Sequence, residues 1–146
     1  MGEGDAHVNE IALAADVCSV GAARDFVRAQ LADRHLETFT TELLTSELTT
    51  NVVRHAETEF TLMVGVDPCV RVEVHDGVAA TDAFREIVAD PPPFSPGSPG
   101  GRGLTLVARL SSRFGLADEP GVREGKIVWF ELDGTDLDPP AAPGAS

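Results

Sequence analysis

Glu47 and Asn51 stand four residues apart within Glu47-Leu48-Thr49-Thr50-Asn51. On a helix that spacing puts both on one face. The run from about Thr38 to Ala56 reads as a single helix, and at roughly 100° per residue the pair falls between Leu43 on one side and Leu44, Leu48 and Val52 on the other. The expectation is therefore a carboxylate and a carboxamide set into a buried stripe, a costly arrangement unless each finds a partner. Such a pair suits metal-assisted phosphate chemistry. Asn51 offers an amide oxygen to Mg²⁺, and Glu47, one turn earlier, can take a proton from an attacking hydroxyl or water. Taken alone, the pair fits a buried hydrogen-bonded couple, or a wetter helix face, better than it fits a site. Arg54 and His55 continue the polar side, with His55 reading as a helix-end or packing residue.

Two further segments carry chemistry. Asp76 ends an alternating run and precedes Gly77. A carboxylate at a strand end can accept a hydrogen bond from an exocyclic amine such as that of adenine, although an Asp-Gly turn explains it as well. Gly100-Gly101-Arg102-Gly103 leads directly into a helix. Glycines there let backbone N–H groups approach a polyphosphate, the helix N-terminus favours its charge, and Arg102 can add a charge-assisted contact. A flexible glycine joint is the plainer reading. Gly125-Lys126-Ile127 lacks the remaining residues of a P-loop, and neither a GxSxG elbow nor HExxH is present.

The elements that must position these residues follow from periodicity. Glu10–Ala15 reads as an edge strand, and Ser19–Leu36 as a helix with Ala22, Phe26, Val27, Ala29 and Leu31 on its apolar face. Phe60, Leu62, Val64 and Val66 alternate, turn at Asp67-Pro68, and alternate again as Val70, Val72 and Val74, which predicts an antiparallel hairpin. Val78–Pro99 holds two proline clusters, is the least regular part of the interior, and reads as a functional lid or a disordered connection. Leu104–Leu110 is a short helix, Arg113–Leu116 a possible strand, Gly121–Gly125 a turn and Ile127–Leu132 a strand. The resulting fold class is α+β: a two-layer α/β sandwich whose mixed, mostly antiparallel sheet is covered on one face by three helices. Residues 1–9 read as a flexible N-terminus, 10–133 as one domain with its lid at about 77–100, and 134–146 as a disordered tail rich in Pro, Ala and Gly.

Bulk composition narrows the classes. The 146-residue chain is 42% hydrophobic, enough for one domain with a real core. A net charge of −13 argues against nucleic acid or an anionic membrane as a direct partner. Isolated Cys18 and Cys69 read as buried, reduced thiols of a cytoplasmic protein. No apolar run is long enough to span a bilayer.

In order, these signals run: a helix with ExxxN, a strand ending in Asp-Gly, a long lid, Gly-Gly-Arg-Gly-Leu opening a helix, and a closing Gly-Lys-Ile-Val-Trp-Phe-Glu-Leu strand. This layout resembles the GHKL, or histidine-kinase-like, ATPase superfamily and its Bergerat-type ATP-binding fold. Glu42–Ala56, Gly100–Leu110 and Lys126–Leu132 look most like the bacterial anti-sigma-factor serine kinases. The resemblance spans about Ile11 to Asp133. It implies ATP and Mg²⁺ as cofactors, Asn51 as the metal ligand and Glu47 as the general base that activates a serine. It implies Asp76 as the adenine contact, and Gly77, Gly101, Arg102, Gly103 and Leu104 as further nucleotide-binding positions. The implied partners are an anti-anti-sigma (STAS-domain) protein and a sigma factor, with a homodimer possible. A non-catalytic module of the same fold is the alternative. Three positions depart from the family pattern: Val78 two residues after Asp76, Lys126-Ile127 where a threonine often follows the glycine, and Ser98-Pro99 where an arginine often precedes the lid glycines.

Overall fold

The computed structural model describes residues 8–34, 36–93, 102–117 and 125–134, with Arg102 described in its backbone only. The elements are β1 (Val8–Leu13), α1 (Cys18–Ala32), α2 (Phe39–Asn51), a π-helical turn (Val52–Ala56), β2 (Phe60–Gly65), β3 (Val70–Asp76), α3 (Asp82–Ala89), α4 (Arg102–Leu110), β4 (Arg113–Ala117) and β5 (Lys126–Leu132). The strands form one five-stranded sheet in the order β1-β2-β3-β5-β4. Every pairing is antiparallel.

Alternation decides which face the helices cover. Phe60, Leu62 and Val64 of β2, Val70, Val72 and Val74 of β3, and Val128, Phe130 and Leu132 of β5 are buried and in phase. They pack with Ala23, Val27 and Leu31 of α1, Leu44 and Leu48 of α2, and Leu104 and Val107 of α4 in one core. The opposite face carries a charged lattice. Arg71 bonds Glu73 and Glu131, each at 2.8 Å, and lies 4.3 Å over the Trp129 ring. Arg113 reaches Glu131 at 2.7 Å.

The fold class is the expected one, with differences that have physical causes. A fourth helix, α3, occupies the predicted lid. Its Thr81 side chain caps it by accepting the Phe84 N–H at 3.1 Å, and Phe84, Ile87 and Val88 form its inward face. The prolines that follow it, from Pro91 onward, had masked that signal. The helix expected to run unbroken to Ala56 changes to π-helical winding at Val52 and stops at Glu57, whose φ is 56°. β1 begins at Val8, so residues 8 and 9 belong to the sheet rather than to a loose terminus. The first helix ends at Ala32, and Ala29 faces solvent. Cys18 is exposed and Cys69 half-buried, and both are free thiols, so neither is the buried cysteine expected. Met1–His7, the rest of the lid from Phe94 to Gly101, the turn before Gly125 and the tail from Thr135 lie outside the described residues. No described helix is long and apolar enough to cross a membrane.

The buried side of α2 is built largely of threonine. Thr40, Thr41, Thr45 and Thr49 are buried beside Leu44 and Leu48. Thr49 satisfies its hydroxyl on the Thr45 carbonyl at 2.8 Å. The hydroxyls of Thr41 and Thr45 have no hydrogen-bond partner among the described residues. A buried hydroxyl without a partner opposes folding, and valine has nearly the same shape. Thr45→Val should therefore raise the unfolding free energy by about 1 kcal/mol in urea titrations; a loss of stability would show that the hydroxyl is satisfied in solution.

The lattice on the open face sets an acid limit. The Glu73 carboxyl is drawn from 4.5 to about 2, first by its hydrogen bond with His75 and then by Arg71, against the opposing effect of burial. A carboxylate whose folded pKa is depressed contributes stability above the unfolded value and loses it as pH falls toward the folded value. That contribution, on the order of 1–3 kcal/mol, should be complete above about pH 4.5 and fade toward pH 2. Glu73→Gln should flatten this part of the pH–stability curve; an unchanged slope would assign the acid limit to other carboxylates.

Candidate functional site

The β3–β5 ladder creates the site. Its register runs from Val70 opposite Leu132 to Asp76 opposite Lys126. Asp76 is in phase with Val70, Val72 and Val74, and Lys126 with Val128, Phe130 and Leu132, so both side chains point toward the helices. Lys126 Nζ lies 2.9 Å from Asp76 Oδ2 and 3.2 Å from Oδ1, and donates to the Val78 carbonyl at 3.2 Å. The Asp76 side chain is 2% exposed and that of Lys126 12%, so a buried carboxylate is paired with a partly buried ammonium. Nζ also lies 5.2 Å from the centre of the Phe84 ring on α3, within cation–π range.

Gly125 makes that register possible. Its φ is +126°, and a Cβ there would collide with the Asp76 carbonyl oxygen. Only glycine lets the chain enter β5 so close to β3. Gly125→Ala should lower stability by roughly 2 kcal/mol or more in urea titrations, through backbone strain and overpacking together; wild-type stability would show that β5 can start in another path.

A cavity of about 360 Å³ opens beside the pair. Leu48 and Asn51 of α2, Val52 and His55 of the π-helical turn, Phe84 and Ile87 of α3, Leu104 of α4 and Val74 and Val128 of the sheet supply its walls. The lining is mostly apolar, with Asn51, Asp76 and Lys126 among its polar groups, as expected of a small-molecule site. π-helical turns recur at such places because the wider winding re-aims side chains.

The expected residues separate into three groups. Asn51, Asp76 and Leu104 line the cavity. Glu47 does not; it is half-buried at the margin of α2's buried side and packs against the first turn of α4. A Cβ on Gly103 would stand 3.0 Å from Glu47 Oε1 and 3.2 Å from its Cβ, so Gly103 lets α4 approach α2 closely. The expectation of a Glu47–Asn51 pair within the buried stripe is thus corrected. Thr40, Thr41, Thr45 and Thr49 take much of that stripe, and Glu47 stands at its edge. Gly77 is exposed and donates to Thr58 Oγ1 at 3.0 Å, away from the cavity lining. Gly101 and the Arg102 side chain lie outside the described residues. Asp76 also makes the turn that the plainer reading foresaw, since Oδ1 accepts the Val78 N–H at 2.8 Å.

Lys126 and the α3 residues were missed. The signal for α3 was Thr81 followed by Phe84, Ile87 and Val88 at helical spacing. The signal for Lys126 was composition: it is the single lysine of the whole chain.

A five-stranded antiparallel sheet with helices on one face, and a cavity between the ExxxN helix, α3 and a strand-end aspartate, are consistent with a Bergerat-type fold. The family model for the histidine kinase-like ATPase domain matches residues 13–132, and the chain belongs to this family. A comparison with curated proteins finds no match.

The family typically binds Mg-ATP, and the groups present fit it. The carboxylate of Asp76 offers about four lone-pair sites, of which the Val78 N–H and Lys126 occupy three, leaving one for an amine. Among the described residues, no cluster of three or more His, Cys, Asp or Glu side chains can hold a metal. Magnesium bound through one protein oxygen and the nucleotide's own phosphates needs none, and Asn51 at the cavity wall is the residue that would hold it.

Proposed function

We propose that the protein binds Mg-ATP in this cavity, transfers the γ-phosphoryl group to a serine of an anti-anti-sigma (STAS-domain) partner, and sequesters a sigma factor. The observation that carries the reading is convergence. Asn51, Asp76 and Leu104 come from three separate segments and line one cavity, while Glu47 flanks the start of α4. ATP supplies the phosphoryl group, with Mg²⁺ offsetting the charge on its phosphates. Asp76 accepts the adenine amine, Asn51 gives its amide oxygen to the metal, and the first N–H groups of α4 face the phosphates. Glu47 takes the proton of the serine hydroxyl as its oxygen bonds to phosphorus and the bond to the ADP oxygen breaks. Most of the rate enhancement in such a site is positioning and charge neutralisation.

The place of Glu47 favours one competing reading. It packs on Gly103 and is not part of the cavity lining, as expected if it serves to seat α4 in a domain that binds nucleotide and partner without transfer.

Two variants separate the readings. Asn51→Ala should abolish measurable Mg-ATP binding in calorimetry; undiminished binding would remove Asn51 from the site. Glu47→Ala should bind Mg-ATP as the wild type does but incorporate labelled phosphate into a STAS partner about 10²-fold more slowly or worse. Unchanged incorporation would end the general-base role. A wild-type protein that binds Mg-ATP and labels no STAS partner would establish the non-catalytic reading.

A further inference from the structure

The positive charge of this chain is distributed unusually. Lys126 is its single lysine; the other members of the eleven Lys and Arg residues are arginines. That lysine is partly buried and paired with the buried Asp76 at the cavity wall. As a clamp between strands it is a poor choice, because two apolar residues would join the same cross-strand position without the desolvation cost of two charges. The pairing needs an explanation in the cavity it faces.

Counting donors and acceptors supplies one. An ammonium has three N–H donors. One is shared by the two oxygens of Asp76, at 2.9 and 3.2 Å, and one is given to the Val78 carbonyl at 3.2 Å. One donor is left. Asp76 has three of its four acceptor sites taken and one left. The pair therefore offers a ligand one acceptor with one donor immediately beside it. The exposed edge of a 6-aminopurine is the complement: an amine N–H next to a ring nitrogen with a lone pair. A 6-oxopurine such as guanine needs two acceptors for its ring N–H and 2-amino group, and the remaining capacity of Asp76 supplies one.

Resting on the Mg-ATP reading of this cavity, we propose that Lys126 is a specificity-determining residue, donating its remaining N–H to the ring nitrogen adjacent to the amine that Asp76 accepts. Lys126 also holds Val78 and α3 to this edge, through the Val78 carbonyl and the Phe84 ring. The base is thus read by an ion pair rather than by a lone carboxylate.

The test uses the full-length protein with ATP, GTP and 1-deaza-ATP, in which the ring nitrogen is replaced by C–H, each with Mg²⁺. Calorimetry should show 1-deaza-ATP binding about tenfold or more weaker than ATP, and GTP weaker still. In Lys126→Met, ATP and 1-deaza-ATP should bind within about twofold of each other, because the donor that distinguishes them is gone. With ¹⁵N-lysine the chain carries a single side-chain Nζ resonance, which should move on adding ATP and move less with 1-deaza-ATP. That measurement needs no variant and decides the matter should Lys126→Met fail to fold. Equal affinity of the wild type for ATP and 1-deaza-ATP would overturn the proposal, as would a preference for GTP or an ATP/1-deaza-ATP ratio that persists in Lys126→Met. Binding of none of the three nucleotides would overturn the Mg-ATP reading itself, a result distinct from tight but undiscriminating binding.

Discussion

The pairing of β3 with β5 is the constraint on which the rest depends. These two strands are central in the sheet, and their helix-facing residues make the middle of the core. A slip of one residue would turn Val128, Phe130 and Leu132 to the open face and bring Ile127, Trp129 and Glu131 under the helices. The burial of six large side chains in phase therefore fixes the register. Once fixed, it sets Asp76 opposite Lys126 at the end of the ladder, where the apolar pattern stops and the cavity begins. The ion pair is the terminal rung of a hydrophobic ladder, held in place by the packing of the residues behind it.

The helices complete what the ladder starts. α2 lies on the sheet through Leu44 and Leu48 and presents Asn51 to the cavity just before its winding widens. The π-helical turn adds Val52, His55 and Ala56 to the wall. α4 is seated against α2 because Gly103 has no side chain to hold Glu47 away. The segment around α3 is tied on both sides: Val78 bonds Asp76 and Lys126, and the Pro92 carbonyl accepts the Thr105 hydroxyl at 2.7 Å. Its helix α3 closes one side with Phe84 and Ile87. The cavity thus lies at the meeting of the sheet, two core helices and α3.

Much of this was legible in the sequence, and the pattern of what was not is informative. The strands β2, β3 and β5 could be read because period-two alternation of Val, Leu and Phe is a local statement about burial. The helices α1, α2 and α4 could be read for the corresponding reason. α3 escaped because the prolines that follow it outweighed a short amphipathic run. The threonines of α2 escaped because a residue that can bond its own helix carbonyl carries no hydrophobic signal, although it packs as well as valine. Cys18 and Cys69 were expected inside because free cysteine is commonly buried, yet Cys18 opens a helix on its wet side and Cys69 sits in a turn.

The sequence alone determined the inventory: an α+β chain, its hairpin, the ExxxN helix, the strand-end aspartate and the glycine-led helix α4. Each of these is set by spacing along the backbone, and spacing is what a sequence records. The tertiary structure decided which of those residues share a cavity. Asn51 and Asp76 meet there, whereas Glu47 turns to Gly103 and Gly77 to Thr58. It also decided that the single lysine, 50 residues from Asp76 along the chain, would become its partner. That pairing follows from strand register, and register is fixed by the summed burial of side chains from distant segments, a quantity that no local stretch of sequence contains.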